Sequence, residues 1–221
     1  MPNNGMQPTR KKPRAADAGR WTARHMYLWR LLTLLLLSVL GLPAALAQTE
    51  WLLFRAQDPQ FRFVYPPDWR LGKPRGPNVR ATLFPPQGAP SANCNIIVRR
   101  EPELAKSGQS QLNQMIQSSQ LGKDDWAQML GGRWPDLTVV QSTHTKVHNQ
   151  PAYLGVLEFS HETVDRKTFI RGMQLATFTP GYVWHFSCAG RGPTPQDARR
   201  SYQSWEPTFR RMLGSLVFEN P

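Results

Sequence analysis

"AYLGVLEFSHETVDRKTFIRGMQLATFTPGYVWHFSCAG", residues 152–190, is the stretch whose reading decides the fold. It holds three long runs rich in aromatic and β-branched residues, AYLGVLEFSHE, TFIRGMQLATF and YVWHFSCAG, which suit strands. DRK turns the chain between the first two, and Pro180-Gly181, a pair suited to a tight turn, precedes the third. Parallel neighbours need a crossover of about a dozen residues or more, and these gaps are too short for one. The stretch is therefore a meander of antiparallel strands. A fourth strand leads into it. Residues 136–148 alternate, with Leu137 and Val139 on one side and Val140 and His144 on the other, and HNQP makes the turn.

Upstream, FRFVYPPDW alternates Phe61, Phe63 and Tyr65 with Arg62 and Val64, a strand half buried on one face. Pro66-Pro67 stops it, because neither proline can donate to a ladder. LGKPRGPNVR reads as a loop, and VRATLFP and CNIIVRR as two further strands. The period then changes. Leu112, Met115 and Ile116 stand at i, i+3, i+4, which predicts a helix over 109–120. Trp126, Met129 and Leu130 repeat the spacing; Asp124 or Asp125 can cap that second helix and Gly131-Gly132 can end it. A last helix opens at TPQD, with Thr194 as N-cap, Pro195 as first helical residue and Asp197 as its third. Tyr202, Trp205, Phe209 and Leu213 form its apolar stripe, and Pro207 should kink or split it. SLVF closes as a short strand. The order is α+β, and one antiparallel β-sheet flanked by helices satisfies it.

FRFVYPPDW resembles the strand, Tyr-Pro and Trp signature that opens PsbP-like domains, and TPGYVW, the C-terminal helix and the final SLVF are similar in order. The resemblance covers most of residues 51–218; only its opening motif is specific. It implies an α/β/α sandwich around an antiparallel sheet. It implies no reaction, since such domains (an extrinsic photosystem II subunit, a Ran-binding transport factor, bacterial envelope proteins) mostly bind other proteins. It supplies no functional residues to carry over.

Ahead of the domain, LWRLLTLLLLSVLGLPAALAQ, residues 28–48, reads as an export leader. Its apolar run, Leu31 to Leu42, fits the core of a signal peptide and is short for a membrane helix, which needs about 20 apolar residues. Pro43 ends the run, and Ala45-Leu46-Ala47 is a small-x-small cleavage pattern, so the cut falls between Ala47 and Gln48. No cysteine flanks the site for lipid attachment, and no Arg-Arg pair marks a twin-arginine route. The leader is unlike a chloroplast transit peptide, typically rich in Ser and Arg. Met26 gives a compact leader and is the expected start. Residues 1–47 are thus extension plus cleavable signal peptide, and 48–221 a single domain with no membrane span after cleavage.

Seven of the 27 basic residues and one of the 15 acidic ones precede Gln48, so the formal charge falls from +12 for the chain to +6 for the domain. The basic RKKPR lies ahead of an export core and is no nucleic-acid arm. A mild basic surplus suits anionic partners, in the envelope lipid head groups, polymers or acidic proteins before nucleic acid. Arg199, Arg200, Arg210 and Arg211 on the last helix, with an 11-residue spacing that returns to nearly the same face, form two basic rows. Lys73, Arg75 and Arg80 add a basic loop. Either surface can dock an acidic partner, and either can be simply solvated.

Export places Cys94 and Cys188, the only cysteines, in an oxidising compartment where a pair closes. Alternation turns Cys94 with Ile96 and Val98, and Cys188 with Trp184 and Phe186, toward an apolar side. A bridge across so long a loop contributes about 4–5 kcal/mol on the chain-entropy account. There is no C-x-x-C to suggest redox chemistry. Other signals are weaker. His144 and His148 have a metal-like spacing on a helix, but on a strand they stand about 13 Å apart. His161 and His185 can meet across the sheet without an evident third ligand. Ser107 to Ser110 lack the nucleophile-elbow pattern, and GGRW is a helix stop, not a phosphate cradle. Asp124-Asp125 suits a helix start. Glu158, a carboxylate within an apolar run, is an acid/base candidate if buried.

The expectation is an exported, disulfide-stapled, non-catalytic domain that binds an acidic envelope protein or complex and needs no cofactor. The alternatives are a lipid or small-ligand carrier and a hydrolase using Glu158 or a histidine. Intact mass spectrometry of the exported protein should give a chain that begins at Gln48 and lacks two hydrogens. A free-thiol mass excludes the bridge, and a precursor peptide from residues 1–25 excludes the Met26 start.

Overall fold

The computed structural model describes residues 50–130 and 134–219. Along the chain run β1 (Leu52–Gln57), β2 (Gln60–Tyr65), β3 (Arg70–Gly72), β4 (Val79–Phe84) and β5 (Ala92–Arg100), then a 3-10 turn (Pro102–Lys106). Helices α1 (Gln109–Ser118) and α2 (Lys123–Met129) follow. The meander is β6 (Thr138–Val147), β7 (Gln150–Glu162), β8 (Lys167–Thr179) and β9 (Tyr182–Gly192), succeeded by α3 (Pro195–Gly214) and β10 (Val217–Phe218). A seven-stranded sheet has the order β3-β4-β5-β9-β8-β7-β6, and a three-stranded one β1-β2-β10. Every pairing is antiparallel.

Two turns set the register. His148 and Asn149 have φ of +47° and +63°, the type I′ conformation that matches the twist of a two-residue hairpin. Pro180-Gly181 has φ of +81° at the glycine, as a type II turn requires. In both, the flanking residues pair directly, Val147 with Gln150 and Thr179 with Tyr182. Such a flanking pair exchanges both backbone hydrogen bonds, so the parity of every residue between the turns follows. One consequence is that Cys188 bonds toward β8 and meets Cys94 in a close, non-hydrogen-bonded pair. Their Cα atoms are 4.1 Å apart and a disulfide joins them, fully buried.

The large sheet is covered on both faces. One face packs against α3 and the small sheet. There Phe61 and Phe63 of β2 meet Trp184 and Phe186 of β9 edge-on at 5.4 and 5.6 Å. The other face carries α1 and α2, with Ile116 and Trp126 buried over Tyr153 and Leu157. Glycine sets two close approaches. A Cβ on Gly155 would lie 2.7 Å from the Trp126 ring, and one on Gly190 would lie 2.2 Å from the Tyr202 backbone nitrogen. Trp126 Nε1 donates to Ser142 Oγ at 3.1 Å, and that hydroxyl donates to the Leu121 carbonyl at 2.9 Å, so α2 is tied to β6 by packing and by polar contact.

Several local expectations change. The sheet is not single, because FRFVY pairs with β1 and β10 and not with the meander. WLLFRAQ holds a strand that its weak alternation does not announce, and Leu71 and Gly72 belong to β3, so the predicted loop shrinks to 73–78. A bulge between Val139 and Gln141 returns Val139 to the face of His144 and leaves Val140 exposed. Met115 points outward while Leu112 and Ile116 are buried. Gly122, not an aspartate, is the N-cap of α2, and its N–H donates to Asp125 at 2.8 Å. Gly131-Gly132 lies outside the described residues. Thr194 caps α3, accepting from Asp197 N at 3.2 Å, yet Pro207 does not split the helix. Pro207 and Gln203 are both exposed, so the carbonyl that loses its donor is free to bond water.

Gly190→Ala should destabilise the protein by about 3 kcal/mol, because backbone and not a flexible side chain meets the new methyl. Gly214→Ala, in open space, should be neutral or stabilise by up to about 1 kcal/mol. Urea unfolding of the two variants checks the contrast.

Candidate functional site

The last helix lies along β8 and β9, and its two sides differ. On the side of β7, Arg199 reaches Glu158, donating from Nε to Oε1 and from Nη2 to Oε2, both at 2.8 Å. Register sets Arg171 of β8 directly opposite Glu158, and its guanidinium also donates to Oε1. The Arg171 guanidinium sits 5.4 Å over the Tyr202 ring as well. The carboxylate, 20 % exposed, therefore has both oxygens engaged by two arginines. The fork from Arg199, opposed by desolvation and helped by Arg171, holds Glu158 below the usual carboxylate range. Burial pushes the Tyr202 hydroxyl up to about 12.

This ion cluster borders an open cleft of about 190 Å³ with Asp136, Thr138 and Phe169 on its walls. Burial opposes ionisation of Asp136, but bonds from the Ser160 hydroxyl and N–H hold it below its ordinary value. Two carboxylates thus face two guanidiniums, and neither acid is poised to give or take a proton near neutrality. Glu158 is half-buried, short of the burial on which its acid/base candidacy was conditioned, and its surroundings are those of a clamp from helix to sheet.

The other predicted basic residues are held differently. Arg200 is paired with Asp197, and Arg210 with Glu206 through Nε at 3.0 Å and Nη2 at 2.6 Å. Arg211 stacks 4.1 Å over the Trp51 ring, which ties α3 to the segment before β1. The 11-residue spacing does place Arg199 and Arg210 along one side, the former at the Glu158 cleft and the latter over β7 and β8. All four side chains are already partnered. Lys73 and Arg75 are exposed in loop 73–78, beside half-exposed Leu71, and make no ion pair among the described residues. Arg80 folds back on the Pro77 carbonyl at 2.7 Å.

Among the described residues the histidines do not converge. His144 Nε2 donates to the Ile116 and Ser119 carbonyls at the end of α1, both at 2.8 Å. His148 Nδ1 accepts from Phe218 N at 3.2 Å. His161 lies against Trp134, whereas buried His185 donates to Gln174 Oε1 at 2.8 Å, and desolvation lowers its pKa to about 4. Sequence reasoning missed Arg171 and Asp136. Arg171 could be found only by aligning β7 with β8 residue by residue, and Asp136 only by knowing that the chain returns beside Ser160.

No protein-family model matches the chain, and neither does any curated protein. Solved structures do. Cyanobacterial PsbP from Synechocystis sp. PCC 6803 is similar with a TM-score of 0.50 and 12% identity, over 82% of this chain and 99% of that one. The Ran-binding protein Mog1p of Saccharomyces cerevisiae gives 0.49 and 8%, over 77% and 96%. LpqN of Mycobacterium tuberculosis, involved in cell envelope biogenesis, gives 0.39 and 9%, over 78% and 86%. At these identities the likeness is one of fold, and the argument rests on the first. Among the described residues no helix is long and apolar enough to cross a membrane. The leader, with Ala47 and Gln48, lies outside those residues.

Glu158→Gln should cost about 1–2 kcal/mol at pH 7, between an exposed and a buried ion pair. The native pKa is depressed, so the stabilisation is complete above the unfolded value, near 4.5, and is lost as pH falls through the lower native one. Denaturation of wild type and variant across that window should show the gap closing toward acid. A constant gap rules the clamp out. The fold is PsbP-like in architecture, with a helix-to-sheet ion clamp at the acid/base candidate Glu158.

Proposed function

We propose that the chain is exported and serves the cell envelope as a non-catalytic, protein-binding accessory domain. The observation that carries this reading is the closure of Glu158: both oxygens of the carboxylate at the cleft are engaged by arginines. The cleft is open and sets four charged side chains among its apolar walls, which differs from the enclosed apolar cavity a lipid carrier needs. The leader supports export, and the PsbP-like fold is compatible with an accessory role. Of the seven basic residues singled out for an acidic partner, Lys73 and Arg75 keep their charges available beside exposed Leu71. An apolar contact ringed by cations is a workable contact for an acidic protein surface.

Chemical cross-linking in intact cells, with neighbours identified by mass spectrometry, should recover one dominant envelope protein. Lys73→Glu with Arg75→Glu should lower that recovery about tenfold, the effect of losing roughly 1.4 kcal/mol of binding. Recovery of nothing above background would sink the accessory role.

A further inference from the structure

The two ends of the large sheet are unequal. β3 is three residues long, whereas β6 at the opposite end has ten and, among the described residues, pairs with β7 alone. The turn at His148-Asn149 makes Val147, Thr145 and Thr143 bond inward to β7. Ser142, His144 and Lys146 therefore direct their backbone N–H and C=O groups to the free edge. The opposite turn at Pro180-Gly181 gives the same parity, and Arg191 N, which points the other way, indeed donates to Ser91 O at 2.8 Å. Exposed edges are ordinarily blunted by charges, prolines or bulges. Here the Val140 bulge guards one end, and 141–145 is a smooth stretch of Gln, Ser, Thr, His and Thr with no charge and no proline.

Beside this edge, on the face of α3, is a hollow of about 120 Å³. Leu154, Met173, Leu175 and Leu213 give it an apolar lining, and Lys146 and Arg210 are exposed among its walls. Arg210 is partnered by Glu206, while Lys146, which alternates with Thr145 and Val147 and so projects on the face of His144, makes no ion pair among the described residues; the unpaired charge beside this edge is positive. A free strand edge beside a pocket for alternate side chains is what strand addition uses: main-chain bonds supply affinity and the pocket supplies selectivity.

We propose that β6 receives an extended acidic segment of a partner protein as an eighth strand, with an apolar side chain over the Leu154 hollow and the alternate carboxylates on the opposite face near Lys146. The proposal rests on the accessory-binding reading and names the chemistry of its partner. Lys73 and Arg75 lie by β3, at the other end of the sheet, so the two surfaces can be tested apart.

The probe is a fluorescein-labelled decapeptide of alternating valine and glutamate, titrated into the purified protein. Anisotropy should report saturable binding, weakened about tenfold by Lys146→Pro, which removes an outward N–H and a charge. Lys146→Ala keeps the amide and should weaken it less. A valine–glutamine decapeptide should bind several-fold more weakly. Residue-resolved amide exchange gives the decisive pattern: Ser142, His144 and Lys146 should gain protection with the peptide, while Thr143 and Thr145 are protected already. No binding at millimolar peptide, or binding without that alternation, overturns the proposal. Protection of the same amides without peptide, rising with protein concentration, assigns the edge to a second copy and overturns it equally. Failure of cross-linking in cells with the exchange pattern intact removes the accessory role and leaves the strand-addition site standing.

Discussion

Two residues of backbone at each of two turns govern most of what is chemically particular here. With His148, Asn149 and Gly181 in left-handed conformations, no residue of the meander can slip by one place without turning its whole strand inside out. That parity puts Glu158 opposite Arg171, stands Cys94 against Cys188 in a close pair, and turns the amides of Ser142, His144 and Lys146 outward. A non-glycine pair at positive φ is an uncommon choice for a type I′ turn. Asn149 tolerates it, and His148 gains from it, since its ring accepts a bond from Phe218 N and so connects the hairpin to the small sheet.

Around this meander the remaining elements are held by few, specific contacts. The helix α3 comes against β9 at Gly190, where only a missing side chain allows the approach. Its charges then hold it to its surroundings, Arg199 to Glu158 and Arg211 to Trp51, while Arg210 pairs with Glu206 within the helix. On the opposite face α2 sets Trp126 onto Gly155. Helices α2 and α3 are thus each positioned by a glycine in a strand, and polar side chains around that contact settle their direction. The cost is that the arginines so used are not free for a partner.

A basic count in a sequence overstates what a surface offers. Arg199, Arg200, Arg210 and Arg211 look like a docking rail when only the helical period is considered. In three dimensions every one is matched by a carboxylate or a ring. Glu206 and Asp197 lie within four residues and could have been paired from the sequence; Glu158 and Trp51 are far away along the chain and could not. Lys146, a single lysine in a polar strand, carried no signal at all, because its setting depends on β6 being an edge.

From the sequence alone came the antiparallel meander, its turns, the cap at Thr194, the pairing of the two cysteines and the α+β order, because hydrophobic period and turn chemistry are local. The tertiary structure decided the rest. Local alternation could not say that FRFVY joins a second small sheet, since strand partners are chosen by long-range packing. Nor could it show the Val140 bulge, one extra residue against a partner strand, which brought Val139 onto the face of His144. The character of Glu158 was likewise undecidable, for the same half-buried carboxylate is an acid when alone and a clamp when two arginines reach it, and those arginines come from β8 and from a helix 41 residues on.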